Sequence, residues 1–580
     1  MITFSSRKID TKTTAGYIIL SFVCLILIFH ARYSFCQSDE SFYIALIDRV
    51  WKGGRLYVDE WHPTQFYAPI MLPLYSLYRV IYPDGKGVIL FFRIIYILIS
   101  FLSSLFLYRK CYKNYPATIS LIVSLIPLLY SRANIQGLSY YNLCLQFSLL
   151  GFLFLFSKNS KIQWFASGVL FFLAELCNPY LFFAIFTVLI LAAIFLADIR
   201  KKAVCCIIAQ FSSASLYLVW LAIRFDLMSV LSHFHHLLED NEHQQTIINR
   251  LMLVFYQHKH YSPLLAVLLV ILGVIILLRS KKMKSVKLLE VIYFVLILIV
   301  IIRSILLSYN HICYIESLTV TLLAFPFIIK RTNICDIEMG LYLYVCGIIL
   351  ALSFFFASNT GLDAMTTGFS LSSAGSLLII HDHFKNTENF KTGKLLILMF
   401  SLLLIGTFSA HRVLGIYRDA PLWNLTERIE IGPASGLYTT AEHKYQYESI
   451  VKSLISVQQK YPIESVLYSK ELPWAYIVTD WRCASYTIYK APINDERLEQ
   501  YYLSHSKPTI VCIFTDNTGG YESAPFNNHK SSDSPNTNVL ECSFYEDYIS
   551  KGSIIEENDY MTVFYIPEMK YSTYAEEICN

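Results

Sequence analysis

Residues 14–30 read TAGYIILSFVCLILIFH and are followed at once by ARYSFCQSDESFY over residues 31–43. The first stretch is apolar over about the length that crosses a bilayer. Its length, and the lack of a small-residue cleavage site behind it, indicate a retained helix rather than a removable signal peptide. The adjacent acids Asp39 and Glu40 therefore stand just beyond a membrane helix, where two charges are costly unless they have partners or a function.

The composition excludes an ordinary soluble protein. Of the 580 residues, 55% are hydrophobic and 16% are charged, a balance typical of chains with most of their length in a membrane. Apolar runs follow one another over residues 14–412, whereas residues 413–580 have the mixture of a water-soluble domain. We therefore predict an α-helical polytopic membrane domain, residues 1–412, and a small C-terminal α/β domain, residues 413–580. The formal net charge of +4, with no basic face among aromatics, argues against a nucleic-acid partner.

Hydropathy predicts about thirteen spanning helices. They are expected at 14–31, 87–108, 115–132, 139–157, 162–177, 179–197, 203–223, 260–279, 286–307, 314–329, 338–357, 364–381 and 394–412. Phe66–Tyr82 is apolar enough for a further partial helix.

The basic residues of the loops predict the orientation of these helices. They cluster in alternate connections, which the positive-inside rule assigns to the cytoplasm. An odd number of crossings then gives a cytoplasmic N-terminus and an extracytoplasmic C-terminal domain in the cell membrane. The clusters are Arg7, Lys8 and Lys12; Arg109, Lys110 and Lys113; Lys158 and Lys161; Arg200, Lys201 and Lys202; Arg279, Lys281, Lys282, Lys284 and Lys287; Lys330 and Arg331; and Lys385, Lys391 and Lys394.

Polar residues collect on the predicted outer face. The first outer loop, residues 31–87, contributes Asp39, Glu40, Asp59, Glu60, His62 and Gln65, and later outer turns contribute Asn178, Asn310, His311 and Asn359. A single outer acid is usually solvated, but paired acids repel unless a cation or a proton relieves them.

Arginines near the outer helix ends are candidates for contact with a lipid phosphate. Arg303 lies about one turn from the outer end of its helix, within snorkelling reach of a phosphate, and is our preferred contact, with His311 second. Arg93, Arg132 and Arg224 lie at similar depth, and simple anchoring at the interface is the alternative for each.

The histidine-rich stretch HFHHLLEDNEH, residues 233–243, has two interpretations. On a helix, His233, His236, Glu239 and Asp240 would share one face as metal ligands. Because no known metal-binding framework accompanies them, we favour an amphipathic surface helix.

Several residues of the first outer loop together resemble a family. The pair Asp39-Glu40, Tyr43 one helical turn later, and Gly54 before Tyr57-x-Asp59 resemble the GT-C glycosyltransferases, together with a proline-bearing approach to the second helix. Within that superfamily the stretch looks most like the protein O-mannosyltransferases and the bacterial aminoarabinose transferases of lipid A. The motif covers about Ser38–Pro73, and the layout covers the whole chain. The resemblance implies transfer of a sugar from a polyprenyl-phosphate donor to a glycan, lipid or protein acceptor.

The resemblance also implies roles for single residues. Asp39 falls on the catalytic aspartate and Glu40 on the neighbouring acid. Relatives commonly carry a second acid after the third helix, where this chain reads GLSYYNL with Tyr141 and Asn142. Asp59 or Glu60 would then supply the second charge, and His62 stands where relatives often have a basic residue.

The expected chemistry follows from these roles. Asp39 would deprotonate the acceptor hydroxyl, with Glu40 orienting it or binding a cation, and attack in line would invert the sugar carbon. A divalent cation on Asp39 and Glu40 is compatible with the four acids but is not required. The expected substrate-binding residues are Tyr43, Asp59, Glu60, His62, Gln65, Asn142, Asn178, Arg303, Asn310, His311 and Asn359.

Two other functions are open. A polysaccharide polymerase or ligase would place its chemistry in a large mid-chain outer loop. A transporter or flippase of lipid-linked glycans would show internal repeats and polar groups at the bilayer midplane. The sequence shows neither internal repeats nor polar groups at the midplane, and its acid pair lies in the first outer loop rather than a mid-chain one, which favours the transferase.

Residues 413–580 alternate helix-like and strand-like segments. Helices are expected at Tyr445–Lys460 and Glu496–Ser504, and strands at Val466–Ser469, Ala475–Val478, Thr509–Phe514 and Met561–Ile566. No glycine-rich phosphate loop is present, so nucleotide binding is not expected. A lid that binds the acceptor and a passive cap are both open roles.

Overall fold

The computed structural model describes most of the chain. The described residues are 11–157, 160–195, 197–237, 239, 246–257, 262–280, 286–307, 314–328, 339–358, 360–385, 390–489, 495–515 and 550–566.

Up to Leu414 the described chain is almost entirely helical. The helices are α1 (Thr11–His30), α2 (Asp39–Trp51), α3 (Ala68–Ile81), α4 (Val88–Cys111), α5 (Ala117–Leu129), α6 (Tyr140–Leu155), α7 (Lys161–Cys177), α8 (Tyr180–Phe195), α9 (Ala197–Arg224), α10 (Leu227–His233), α11 (Ile247–Gln257), α12 (Ser262–Ser280), α13 (Val286–Leu307), α14 (Tyr314–Leu323), α15 (Phe325–Ile328), α16 (Met339–Ala357), α17 (Leu362–Phe384) and α18 (Phe390–Leu414). Short 3-10 turns occur at Pro63–Tyr67, Arg132–Asn134, Phe234–Leu237 and Leu422–Asn424.

Several of these helices have the length and composition of membrane spans. Within the described residues five qualify, at Thr13–His30, Val88–Cys111, Ile199–Arg224, Met339–Ala357 and Gly393–Leu414. Shorter apolar helices accompany them, and the chain is an integral membrane protein. All thirteen predicted spans fall on helices, although the number of crossings and their orientation stay predictions.

Close helix packing fixes the position of α17. A Cβ atom added to Gly368 would lie 2.1 Å from the backbone nitrogen of Ala351, and one added to Gly347 would lie 2.3 Å from that of Ser372. Only glycine permits this approach, which is the usual device for bringing membrane helices together. The N-terminal end of α17 is thereby held rigidly, and it carries Asp363, a residue of the site described below.

The first loop, residues 31–87, is more ordered than the sequence indicates. It contains α2, the 3-10 turn Pro63–Tyr67 and α3, which confirms the partial helix predicted at Phe66–Tyr82. Helix α2 begins with the two acids, which interact favourably with the positive end of the helix dipole. All its residues from Glu40 to Val50 are buried, because α2 lies between the membrane helices and the C-terminal part of the chain.

The C-terminal region, residues 413–566, carries the strands. Its helices are α19 (Ala441–Lys460), α20 (Pro473–Val478) and α21 (Asp495–Tyr502), and its strands are β1 (Glu427–Arg428), β2 (Tyr438–Thr439), β3 (Ser465–Tyr468), β4 (Arg482–Cys483), β5 (Ile510–Phe514), β6 (Ser553–Glu557) and β7 (Met561–Tyr565). Strands β1 and β2 form an antiparallel pair. The others form a mixed sheet in the order β4-β3-β5-β7-β6. Strand β3 runs parallel to both of its neighbours, β4 and β5. Strand β7 runs antiparallel to both of its neighbours, β5 and β6.

One secondary-structure prediction in this region is wrong. The sequence predicts a strand at residues 475–478, but they belong to helix α20. Pro473 occupies the first turn, where its missing N–H costs nothing, and five consecutive residues from Pro473 to Ile477 are buried. Burial on every side, here partly against α2, suits an apolar helix as well as a strand.

Candidate active site

Asp39 is held by residues that are distant in the sequence. The Tyr489 hydroxyl donates to Asp39 Oδ1 at 2.5 Å, and the Tyr417 hydroxyl donates to Oδ2. Arg418 Nη1 lies 3.1 Å from Oδ2 and also donates to Ser38 Oγ at 2.5 Å. Burial by itself would raise the pKa of Asp39, but Arg418 and the two phenol donors outweigh burial and lower the pKa. Asp39 is therefore an ionised carboxylate at the first turn of α2.

A neighbouring aspartate fixes Arg418 in this position. Asp419 Oδ2 accepts a hydrogen bond from the backbone N–H of Phe35 at 2.7 Å, and its Oδ1 lies 2.9 Å from His443 Nδ1. Asp419 thus ties the segment after α18 both to the first loop and to α19. Arg418 itself has a φ of 50°, a strained value for a residue other than glycine. Such strain persists where the surroundings over-determine the backbone, as they do here.

Glu40 faces a different partner from Asp39. Arg93 of α4 binds both of its carboxylate oxygens, with Nε donating to Oε1 at 2.7 Å and Nη2 to Oε2. Arg93 Nη1 also donates to the carbonyls of Ala31 and Tyr33 at 2.8 and 3.0 Å. Glu40 and Arg93 are 3% and 1% exposed, so the pair is desolvated and bidentate. It fastens the start of α2 to the membrane helices.

The acid pair does not fit a shared divalent cation in this arrangement. Both oxygens of Glu40 are occupied by the Arg93 fork, and Arg418 lies beside Asp39. A cation bridging the two carboxylates would have to displace arginines that already neutralise them.

Arg132 supplies positive charge near Asp39. It opens the 3-10 turn after α5, and its Nη2 donates to Asp363 Oδ2 at 2.7 Å and to Thr360 Oγ1 at 3.0 Å. Its guanidinium carbon lies 3.8 Å from the centre of the Tyr141 ring. Arg132 contributes to the lowered pKa of Asp39. Its Nε is buried and has no hydrogen-bond partner among the described residues.

Tyr43 completes this group of residues. It is buried, and burial raises the pKa of its hydroxyl, with further contributions from Asp39 and, in the opposite sense, Arg132. Its ring centre lies 5.7 Å from that of Tyr140, which in turn contacts the Tyr141 ring at 4.2 Å. We call Asp39, Arg132 and the tyrosines 43, 140 and 141 the acid–arginine cluster.

The turn that carries Arg132 is strained and braced. Ala133 and Asn134 have φ values of 52° and 54°, which cost on the order of 1–3 kcal/mol each for residues other than glycine. Arg412 Nη1 donates to Asn134 Oδ1 at 2.8 Å, and Asn134 Nδ2 donates to the Gly415 carbonyl. The end of α18 therefore holds Arg132 where it acts on Asp39.

The second acid pair joins the first loop to the C-terminal region. Glu60 accepts a hydrogen bond from Arg49 Nη1 at 2.7 Å and from the Ile488 backbone at 3.1 Å. Asp59 accepts three hydrogen bonds from Arg55 and lies 3.2 Å from His505 Nε2. Burial would raise the pKa of Asp59, but these donors lower it well below its usual range. These contacts attach the first loop to the C-terminal region, and the role of this pair as a second charge stays a prediction.

The next two predicted residues stabilise the backbone of the same loop. Gln65 is fully buried; its Oε1 accepts from Tyr57 N–H at 2.6 Å, and its Nε2 donates to the Glu60 carbonyl at 2.7 Å. His62 Nδ1 lies 2.7 Å from Thr64 Oγ1, and its ring contacts the Tyr489 ring at 5.5 Å. His62 is therefore close to the tyrosine that binds Asp39.

The two predicted asparagines lie in different surroundings. Asn142 Nδ2 donates to the carbonyls of Ile135 and Gly137, both at 2.9 Å, and so shapes the loop that packs against Glu40. Asn178 follows α7 and is 2% exposed. Neither polar atom of its side chain has a partner among the described residues.

The remaining predicted substrate-binding residues lie on α13 or outside the described residues. Arg303 is exposed on α13, with no hydrogen bond or ion pair to another described residue. Asn310, His311 and Asn359 lie outside the described residues.

The histidine-rich stretch differs from the predicted surface helix. Helix α10 ends at His233, and the chain goes on as the 3-10 turn Phe234–Leu237. Asp240 lies outside the described residues. In the described part of the chain, His235, His236 and Glu239 have ligand atoms within 4.8 Å of one another.

The sequence interpretation missed Tyr417, Arg418 and Tyr489 and gave Arg132 only a general role. No local pattern links them to Asp39, because Tyr417 and Tyr489 are 378 and 450 positions away. One sequence feature could have pointed to them: the adjacent charges Arg418-Asp419 come directly after the last apolar run, as Asp39-Glu40 come after the first.

Comparison with known proteins finds similarity to solved structures, among them two membrane enzymes. The apo oligosaccharyltransferase of Archaeoglobus fulgidus is 11% identical, with a TM-score of 0.46, over 87% of this chain and 70% of that one. ArnT from Cupriavidus metallidurans, bound to undecaprenyl phosphate, is 11% identical, with a TM-score of 0.37, over 95% of this chain and 98% of that one. Both are GT-C membrane glycosyltransferases. No protein-family model and no curated protein matches the chain. TM-scores below 0.5 give no residue correspondences, so residue roles rest on the site itself.

Proposed function

We propose that this chain is a membrane glycosyltransferase that moves a sugar from a polyprenyl-phosphate donor to a hydroxyl of a cell-envelope acceptor. The observation that carries the proposal is the environment of Asp39. It is an ionised carboxylate at the start of α2, it accepts hydrogen bonds from two hydroxyl groups, and Arg132 acts on it electrostatically.

The reaction requires a base and a cation. The acceptor oxygen attacks the anomeric carbon of the sugar, and its proton passes to a carboxylate. The bond from the anomeric carbon to the phosphate oxygen breaks, its electron pair stays on the phosphate, and polyprenyl phosphate leaves. A positive group close to that phosphate stabilises the charge that develops. In-line attack inverts the sugar carbon.

Asp39 is suited to receive the acceptor hydroxyl. Tyr489 and Tyr417 already present O–H donors to its two oxygens. An acceptor hydroxyl that replaces one of them makes a hydrogen bond of the same kind, with its proton aimed at the carboxylate. The low pKa of Asp39 keeps this group ionised at every physiological pH.

Arg132 is better supported than Arg303 as the cation for the departing phosphate. Arg132 lies in the acid–arginine cluster and has a buried Nε without a described partner. Arginine suits this role because its fork matches phosphate geometry. Arg303 is exposed on α13. Glu40 is a positioning residue in this proposal, because Arg93 occupies both of its oxygens.

Transfer of labelled sugar tests the proposal directly. Membranes that contain the protein are supplied with a panel of polyprenyl-phosphate sugars, and wild type is compared with Asp39→Asn. The matched control is Asp84→Asn, an exposed acid of the same loop whose Oδ1 accepts a hydrogen bond from the Lys86 backbone at 3.1 Å. We expect Asp39→Asn to lower transfer about 10²–10⁴-fold and the control to leave it unchanged. Equal transfer by wild type and Asp39→Asn would contradict the assignment.

A further inference from the structure

The turn after α10 brings together residues able to bind a metal ion. Asp226 caps α10 by accepting from the backbone N–H groups of Met228 and Ser229 at 3.3 and 3.1 Å. The chain then tightens into the 3-10 turn Phe234–Leu237, and the His235 and His236 rings lie with centres 3.9 Å apart. Glu239 follows in a turn, so two imidazoles and one carboxylate have ligand atoms close to one another.

The distances suit a tetrahedral ion. The ligand atoms of the three residues all lie within 4.8 Å of one another, and His236 Nδ1 is 3.2 Å from Glu239 Oε2. Two ligands about 2.0–2.2 Å from a tetrahedral zinc ion are about 3.3 Å apart. His236 Nδ1 and Glu239 Oε2 have this separation because they share a proton in a hydrogen bond. Zinc would take the place of that proton, and His235 would complete the set.

Hydrogen bonding prepares His235 for coordination. Its Nδ1 lies 2.8 Å from the Ser232 carbonyl oxygen, which can only accept, so Nδ1 carries the proton. The lone pair is then on Nε2, the nitrogen left for a metal. Such a bond from the second ring nitrogen to a carbonyl is the usual support of a metal-binding histidine.

A rigid platform supports His236. Its ring stacks on Trp61 with centres 3.8 Å apart and planes 17° from parallel, and its carbonyl accepts from Arg497 Nη2 at 2.8 Å. Trp61 is itself fixed by a hydrogen bond from Nε1 to the Val58 carbonyl at 2.9 Å. Because the first loop and α21 hold His236 in place, this residue loses less conformational entropy when a metal ion binds.

We propose that His235, His236 and Glu239 bind one zinc ion, with water in the fourth position. Two imidazoles and a carboxylate are ligands that zinc accepts, whereas magnesium and calcium prefer oxygen alone. Bound zinc would fix the segment after α9 onto Trp61, at the contact between the first loop and the C-terminal region. The proposal does not depend on the glycosyltransferase assignment, because none of the three residues contacts Asp39.

Zinc binding to the purified full-length protein tests this site. The protein is prepared in detergent with a tag that lacks histidine, stripped with a chelator and titrated with zinc. We expect one equivalent to bind to wild type, and His235→Ala and Glu239→Gln each to weaken binding at least tenfold. His233→Ala is the matched control: it removes the neighbouring histidine, whose Nδ1 lies 2.9 Å from the Ser229 carbonyl, and should keep binding within about threefold.

Two further measurements separate the site from background binding by the other histidines. Cobalt should give the visible absorption of a tetrahedral ion in wild type and lose it in the variant His235→Ala/His236→Ala/Glu239→Gln. Zinc should raise the unfolding temperature of wild type but not of the triple variant, because only a ligand of the native state stabilises it. Equal binding by wild type and the triple variant, or equal loss in His233→Ala, would overturn the proposal.

Discussion

The Tyr489 hydroxyl of the C-terminal region donates a hydrogen bond to Asp39 Oδ1 at 2.5 Å, across 450 positions of the chain. Tyr417 donates to the other oxygen, so Asp39 is capped from the C-terminal region on both sides. This relationship gives that region a direct connection with the proposed base. In the proposed reaction, an acceptor hydroxyl takes the place of a tyrosine hydroxyl at Asp39.

Removing the Tyr489 hydroxyl should make this displacement unnecessary. A hydrogen bond to a charged group contributes about 1.5–3 kcal/mol, so we expect Tyr489→Phe to lower the KM for the acceptor by about tenfold or more with little change in kcat. Initial rates over a range of acceptor concentrations measure both constants. Tyr445→Phe, at an exposed position of α19, is the control and should match wild type. A fall in kcat with an unchanged KM would instead make Tyr489 a residue that orients Asp39.

Arg418 should determine how the rate depends on pH. A base must be ionised, so activity is present above the pKa of Asp39 and is lost as the pH falls through it. Arg418 and the tyrosines keep that pKa below 3.8, and the wild-type rate should stay level from neutral pH down to mildly acidic pH. In Arg418→Gln the largest opposing charge is gone and burial dominates, so the pKa rises and the acid limb moves to higher pH.

Two control variants make the pH measurement specific. Arg418→Lys keeps the charge and should keep the wild-type acid limb. Arg482→Gln removes an exposed arginine of β4 and should leave the profile unchanged. An acid limb at the same pH in wild type and Arg418→Gln would contradict a role for Arg418 in setting the ionisation of Asp39.

Glu40 and Arg93 should matter for folding more than for chemistry. Removing one partner of a buried ion pair leaves an uncompensated charge and costs about 3–5 kcal/mol. We expect Arg93→Gln to lower the amount of folded protein in membranes and its unfolding temperature in detergent, with a smaller effect for Glu40→Gln. The comparison is Glu427→Gln, which removes a half-exposed partner 3.6 Å from Lys444 Nζ and should cost less than about 1 kcal/mol.

A double-mutant cycle distinguishes the pair from two independent effects. The double variant Glu40→Gln/Arg93→Gln should be less destabilised than the sum of the single variants, by at least about 1 kcal/mol. Additive losses would mean that the two residues stabilise the protein separately.

The helices of the membrane part could be predicted from the sequence because their signal is local. The span predicted at 286–307 has the same bounds as α13, since a long apolar run with lysines at its start and the polar residues SYNH after it marks both ends. Helix α2 was missed inside the first loop, although the acids of its first turn and Arg49 in its last are a recognisable helix signal.

The candidate site could be predicted only in part, for a different physical reason. Asp39 was identified because two acids beyond a membrane helix are locally unusual. The groups that bind it come from residues 417, 418 and 489. These residues are hundreds of positions away, and a local sequence pattern does not show which distant residues the fold brings together. The same limit applies to Glu60, whose partner Arg49 is near in sequence but whose contact with Ile488 is not.

Arg132 and Arg303 offer a direct comparison of two candidate phosphate contacts. Removing a group that stabilises developing charge costs about 10²–10³-fold in kcat, so Arg132→Gln should lower transfer by about 10²-fold, and Arg132→Lys should retain part of the rate because it keeps the charge. Arg303→Gln should stay within about twofold of wild type, since Arg303 is exposed on α13. Because Arg132 also binds Asp363, each rate is divided by the amount of folded protein, and Asp363→Asn reports the effect of losing that ion pair alone. A large loss of transfer in Arg303→Gln, together with a normal rate in Arg132→Gln, would mean that the phosphate contact lies on α13. That result would overturn the role proposed for the acid–arginine cluster.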